Sequence, residues 1–273
     1  MKLGLVIALN STPRTAPLLF SGRLQEGLAT AQRLGCQGVE LNILDPQEVD
    51  GAELQRLLRR HELAVCTLAT GQAFGKHGLS LLSADPEVRR RTMARLESHA
   101  LLAARLECAV TIGLIRGLLS GNEAEQSEGR KRIAEGLGQF AHLAEGLGAR
   151  VLLEPLNRYE CNNINSLPDG LALMEEIGAA NLHLLADTFH MNIEDVDMAA
   201  NLRAAGSRLG YVHLTDSNRQ APGSGHTDFA PLVEALRAIG YKGYLSAEVQ
   251  PVPDDATAAE RFATFCRSLG VEE

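Results

Sequence analysis

Short apolar runs alternate with longer helical patterns along this 273-residue chain, and eight such strand-plus-helix units can be counted. A parallel strand buried on both faces reads as a nearly continuous hydrophobic run, and strict alternation of such runs with helices is the sequence form of an α/β sheet. The strand candidates are Leu3–Leu9, Gly38–Asn42, Ala64–Ala69, Ala109–Leu114, Arg150–Glu154, Leu182–Asp187, Gly210–Leu214 and Gly243–Glu248. Eight units in a chain of this length match one (β/α)8 barrel, with residues 1–273 as a single domain. Within Pro86–Leu106, Val88, Met93, Leu96, Leu101, Leu102 and Leu106 recur at roughly helical spacing, and Asp85 before Pro86 supplies an N-cap and an N1 proline. Gly146, Gly148 and Gly178 stand where helix C-caps are expected. The Gly-, Ser- and Glu-rich segment Leu118–Arg130 reads as a mobile loop over the barrel mouth.

Four of these units carry chemistry at the same place. Glu154, Asp187, His213 and Glu248 each close an apolar run, at intervals of 33, 26 and 35 residues, about one strand plus one helix. Side chains at the carboxyl ends of successive barrel strands converge on the mouth, where this fold places its catalytic groups. Burying four ionisable groups around one axis without a cation would cost several kcal/mol per ion, so a divalent metal is the simplest neutralising partner. Three carboxylates and one imidazole suit Mn²⁺, Co²⁺ or Mg²⁺ and leave room for a chelating substrate. Strands five and eight lie three positions apart in a closed barrel, so Glu154 and Glu248 reach the centre from different sides. That arrangement suits proton removal on one face of a carbon next to a ketone and proton return on the other. An aldose–ketose isomerase, moving a proton along one face, needs only one such base.

The formal charge of −8 argues against a surface built to neutralise phosphates, so nucleic acid is not expected as a partner. Five scattered cysteines, with no CxxC spacing, read as reduced buried thiols of a cytoplasmic protein. The apolar stretch near the start spans only Leu3–Leu9 and reads as the first strand rather than a leader. No run approaches the roughly 20 apolar residues of a membrane span.

Other polar residues surround the four. Glu160 comes after the fifth strand, either as part of the site or as a solvated loop carboxylate. His190 stands three residues beyond Asp187 and shares its site if Thr188–Met191 bends back over the barrel. Arg219 can hold a hydroxyl, phosphate or carboxylate, or form a surface ion pair. Gly223 and Gly225 permit a tight loop, Asp228 reads as a helix cap, and Glu40 as a support residue deeper in the mouth.

The blocks Glu154-Pro-Leu-Asn-Arg-Tyr-Glu160, Leu185-Ala-Asp-Thr-Phe-His-Met-Asn192, His213-Leu-Thr-Asp-Ser-Asn-Arg219, Pro222-Gly-Ser-Gly-His-Thr-Asp-Phe229 and Ser246-Ala-Glu248 resemble the xylose-isomerase-like TIM-barrel sugar phosphate isomerase/epimerase superfamily. Within it the chain resembles the D-tagatose/D-psicose 3-epimerase family. The resemblance implies that Glu154, Asp187, His213 and Glu248 ligate one Mn²⁺-type ion, and that the two glutamates double as the acid/base pair. It also implies that Glu160, His190 and Arg219 bind substrate oxygens, and that the protein is a homo-oligomer, dimer or tetramer, acting on a small sugar or sugar acid. The chain has no Trp, and carries Thr70-Gly71-Gln72-Ala73-Phe74 and Ile112-Gly113-Leu114-Ile115-Arg116-Gly117 after strands three and four. These segments resemble the keto-hexonate branch, represented by 5-keto-L-gluconate epimerase, which interconverts that sugar acid with D-tagaturonate. On that branch Arg116 is expected to pair with the terminal carboxylate of the substrate. Hydroxypyruvate isomerase and inosose dehydratase share the barrel and single-metal layout and differ in the step after enolisation. The more distant alternatives are an endonuclease IV-like enzyme, whose added histidines are replaced here by Thr70-Gly71 and Gly113-Leu114, and a non-catalytic sugar-binding barrel.

Overall fold

A computed structural model describes residues 1–271. Among them, eight parallel strands pair in sequence order and close on themselves: β1 Lys2–Ala8, β2 Gly38–Asn42, β3 Ala64–Ala69, β4 Ala109–Ile112, β5 Arg150–Leu153, β6 Leu182–Asp187, β7 Leu209–His213 and β8 Tyr244–Ala247. β1 hydrogen-bonds to β2 on one side and β8 on the other, which completes the barrel. The helices are α1 Leu24–Arg33, α2 Gly51–Arg60, α3 Gln72–His77, α4 Pro86–Leu106, α5 Glu123–Gly146, α6 Leu167–Ile177, α7 Thr188–Glu194, α8 Met198–Ala205, α9 Ala230–Ala238 and α10 Asp255–Ser268. Each expected strand is present, with ends shifted by at most two residues. The outward side chains of the strands, such as Leu5, Ile7, Val39, Leu41, Val110, Val151, Leu153 and Leu184, are buried against the helix ring.

Local chemistry accounts for the helix ends. Asp85 accepts the Glu87 N–H ahead of Pro86, and Gly178 closes α6 at φ 72°, a left-handed conformation that glycine adopts without strain. Gly146 instead ends α5 from within, and Gly148, at φ 77°, makes the reversal. Asp228 accepts the Ala230 N–H at the start of α9.

The expected mobile loop Leu118–Arg130 is not a loop over most of its length. Asn122 accepts the Glu125 N–H while the Glu125 carboxylate accepts the Asn122 N–H, a reciprocal cap that starts α5 at Glu123. The remaining short segment is tied down, since Asn162 accepts from Leu119 N–H and donates to Leu119 C=O. A composition that suggests a loop is here a capped helix start. No helix among the described residues is long and apolar enough to cross a membrane.

Candidate metal centre

Strand ends build the site. Asp187 and His213 are the last residues of β6 and β7 and pair with each other in register, while Glu154 and Glu248 come immediately after β5 and β8. One ligand atom from each of the four lies within 4.8 Å of the others. His213 Nδ1 is 3.4 Å from Glu154 Oε1, from Asp187 Oδ2 and from Glu248 Oε2. An ion with bonds of about 2.1 Å holds its ligands about 3 to 4.2 Å apart, and the three 3.4 Å separations from His213 Nδ1 fall in that range. Two of these atoms, His213 Nδ1 and Glu154 Oε1, are buried and have no hydrogen-bond partner. Such orphaned atoms beside carboxylates are what a cation would satisfy.

The protein's own charges strain the cluster. Burial pushes Glu154 up to about 7. Burial acts in the same direction on Glu248, but Arg219 and His213 outweigh it and hold this carboxyl below its usual range. His213 is disfavoured as a cation by burial, yet Glu40 and Glu248 raise it well above the usual imidazole range. Asp187 is likewise held down by Arg219 against the effect of burial.

Arg219 lies in the site. Its guanidinium donates to Asp187 Oδ2 and Glu248 Oε2 and sits 4.6 Å from the centre of the Phe189 ring. The loop that carries it is built around Asp216, which sequence reasoning left without a role. Asp216 accepts backbone N–H groups from Ser217, Gly223, Gly225 and Thr227. Those bonds hold its carboxyl low despite burial, and the turn they close sets Arg219 at φ 62°. Asp216→Ala removes a charged acceptor from four donors and is expected to cost about 2–3 kcal/mol. A thermal melt would register the loss, and a raised KM would register the displaced Arg219.

His190 sits in the first turn of α7, buried, with Nε2 3.8 Å from Asp187 Oδ2. Asn157 Nδ2 donates to His190 Nδ1 at 2.7 Å, which leaves the ring proton on Nε2. Burial lowers this histidine to about 4, so it is a neutral donor at neutral pH. Asn157 Nδ2 also donates to Glu160 Oε1 at 3.0 Å, linking the two expected substrate contacts. Glu160, with 43% of its side chain exposed, stands at the edge of the site.

A cavity of about 240 Å³ opens over the centre, lined by Glu154, Glu160, His190, Arg219 and Glu248 together with Pro17, Leu18, Asn42, Gln72, Thr111 and Leu156. This volume falls below the roughly 300 Å³ at which pockets for drug-sized ligands begin. Asn42 and Gln72, hydrogen-bonded to each other at 2.6 Å, face this cavity; Gln72 belongs to the segment noted after strand three, whereas Asn42 was not singled out in the sequence. Asn42 ends a strand, and that position was the available signal.

Arg116 corrects an expectation. It is not on the cavity wall but fully buried, and each of its N–H groups is engaged by the protein. Nε donates to Asn163 Oδ1, Nη1 to the carbonyls of Gly113 and Glu154, and Nη2 to those of Asn163 and Ile164. No donor is left for a substrate carboxylate. Its role is to tie the 3₁₀ turn Leu114–Arg116 to the chain after β5, beside Glu154.

The family described as xylose isomerase-like TIM barrel matches residues 28–268. The L-ribulose 3-epimerase of Methylomonas sp. (strain DH-1) is 33% identical over 229 residues, covering 82% of this chain and 77% of that protein. The 3-dehydro-D-guloside 4-epimerase of Escherichia coli (strain K12) is 38% identical over 132 residues, 48% of this chain and 50% of that protein. A crystal structure of D-allulose 3-epimerase from Methylomonas sp. in complex with D-allulose superposes with a TM-score of 0.83 at 27% identity, covering 98% of this chain and 96% of that one. By the extent of the family match and of these relatives, the chain belongs to the xylose isomerase-like TIM barrel family.

Proposed function

We propose that the protein is a metal-dependent ketose epimerase of the EC 5.1.3 kind that inverts the carbon next to a ketone. The observation that carries this reading is the convergence of two glutamates, buried Glu154 just after β5 and mostly covered Glu248 just after β8, on His213 Nδ1 at 3.4 Å each. The similarity to ketose 3-epimerases supports it. Mn²⁺, Co²⁺ or Mg²⁺, held by Glu154, Asp187, His213 and Glu248, would supply Lewis-acid stabilisation of the negative charge that develops on the ketone oxygen. One glutamate takes the proton from the carbon beside the ketone, and the other returns a proton from the opposite face. The Nε2–H of neutral His190 and the Arg219 guanidinium donate to substrate oxygens, and Glu160 accepts from a hydroxyl. The apolar surfaces of Leu18 and Leu156 limit access of water.

A neutral ketose is the favoured substrate over a keto-hexonate. Among the described residues lining the cavity, Arg219 is the only Lys or Arg, and it already faces two carboxylates. A 3-keto glycoside inverted at C4 is a second reading, favoured by the 38% identity to a 4-epimerase. Both substrates undergo the same proton transfers beside a ketone. The test is NMR of the Mn²⁺-loaded protein in D₂O with L-ribulose, D-tagatose, D-fructose, 5-keto-L-gluconate and a 3-keto glucoside. Deuterium should enter beside the ketone as the epimer accumulates, with neutral ketoses ahead of the sugar acid. Aldose formation or water loss would reassign the chemistry to an isomerase or a dehydratase.

Metal affinity should rise with pH. Bound ligands must be deprotonated, and the protein holds a proton on His213 well above the usual range and another on Glu154 up to about 7. Binding is therefore expected to release fewer protons per ion as pH rises through about 7, falling from about two well below it toward about one well above it. Calorimetry in buffers of different ionisation enthalpy would measure this, and affinity unchanged between pH 6 and 8 would contradict it.

A further inference from the structure

We infer that Glu40 is the positioning residue that decides which nitrogen of His213 faces the metal. The inference rests on the metal-centre reading, and it concerns a residue on the opposite side of the imidazole from the other three carboxylates.

Glu40 lies inside the barrel on β2, fully buried, and accepts from His213 Nε2 at 2.8 Å. Its strand neighbour is irregular there. Val39 pairs with Val65 and Leu41 with Leu68, so β3 carries two residues, Cys66 and Thr67, opposite Glu40. A bulge of this kind re-aims side chains beside functional sites. Beneath it, the Tyr211 ring meets the His213 ring edge-on, with centroids 5.5 Å apart and planes at 80°. The imidazole is thus held by a ring from beneath and an anion from behind.

Electrostatics gives Glu40 its task. Three carboxylate oxygens stand 3.4 Å from His213 Nδ1. Left to those three, a neutral imidazole would keep its one proton on Nδ1, where the cation must bind. Glu40 supplies a closer acceptor for a proton on Nε2 and leaves the Nδ1 lone pair toward the centre. Carboxylate–histidine–metal pairs work in this way, and loss of the outer carboxylate commonly weakens metal binding 10- to 100-fold. The other Glu40 oxygen and the hydroxyls of Tyr211 and Ser246 are buried without hydrogen-bond partners. His213 Nε2 is the donor at 2.8 Å from Glu40, and the Tyr211 hydroxyl beside it favours the Glu40 carboxylate less than His213 does.

The experiment uses ¹⁵N-histidine-labelled full-length protein, as wild type, Glu40→Leu and Glu40→Gln. Two-bond ¹H–¹⁵N spectra, recorded at a pH high enough to make the His213 ring neutral, read its tautomer, assigned by loss of its signals in His213→Gln, and Mn²⁺ titration followed by electron paramagnetic resonance reads affinity. In wild type, proton occupancy should be retained on Nε2, and Mn²⁺ should bind with Nδ1 as the ligand nitrogen. Glu40→Leu should move the neutral proton to Nδ1 and lower Mn²⁺ affinity about 10- to 100-fold. Glu40→Gln removes the charge at nearly constant volume and should lower affinity at least about tenfold. It carries the test if the leucine variant does not fold. A folded variant that keeps the wild-type tautomer and binds Mn²⁺ within twofold of wild type overturns the inference. Wild-type protein that binds no Mn²⁺ would sink the metal-centre reading instead, while the tautomer spectra would still decide the role of Glu40.

Discussion

Glu248→Gln is expected to lower epimerisation by at least about 10³-fold while leaving the barrel folded. The amide has nearly the same shape but neither takes up nor delivers a proton at carbon, and general acid–base catalysis alone contributes about 10²- to 10⁴-fold. The change also takes a negative charge from the cluster around His213 Nδ1 and a partner from Arg219. Glu154→Gln should be similarly inactive, because the two glutamates act as one unit and their losses do not add. Deuterium exchange separates their roles. With one base removed, the remaining glutamate can still exchange the proton of the epimer whose face it addresses. Each variant should then show residual exchange without inversion, in opposite epimers. Either variant retaining a tenth of wild-type turnover would refute the two-base scheme.

Arg116→Ala is expected to be the most destabilising single change at the barrel mouth, by about 3–5 kcal/mol. The guanidinium is fully buried, and burial lowers it from the usual arginine range. Its hydrogen bonds go to neutral acceptors, four of them backbone carbonyls. Truncation leaves those acceptors unpaired in a dry interior and opens a cavity between the turn after β4 and the segment beyond β5. The melting temperature should drop by about 10 °C, at the roughly 2–4 °C per kcal/mol typical of a chain this size. The ratio of sugar-acid to neutral-ketose activity should not change in the folded fraction, because Arg116 does not reach the cavity. A selective loss of sugar-acid activity would restore the role expected for it from the sequence.

Much of the candidate centre was legible along the chain. Glu154, Asp187, His213 and Glu248 stand out because each ends an apolar run, and in a closed parallel barrel such ends share one mouth. His190 was legible conditionally. Its spacing of three from Asp187 matters only because α7 begins at Thr188 and turns the side chain inward. Arg219 was legible as a site residue but not as the partner of Asp187 and Glu248. That contact depends on the loop around Asp216, whose four backbone bonds reach up to Thr227. The segment Leu118–Arg130 was misread because Gly, Ser and Glu are common in both loops and helix starts. The reciprocal bonds of Asn122 and Glu125 decide between the two.

By itself the sequence determined the barrel and the four residues at its mouth, since both arise from hydrophobic periodicity, a local property that repeats along the chain. Only the tertiary structure decided which polar groups meet. Glu40 reaches His213 across 173 residues, and Arg116 reaches acceptors 38 to 48 residues away. An arginine before a glycine looks the same whether it faces a substrate or five protein acceptors. The difference lies in burial and in the direction of the side chain, which the closed sheet sets and no local pattern encodes.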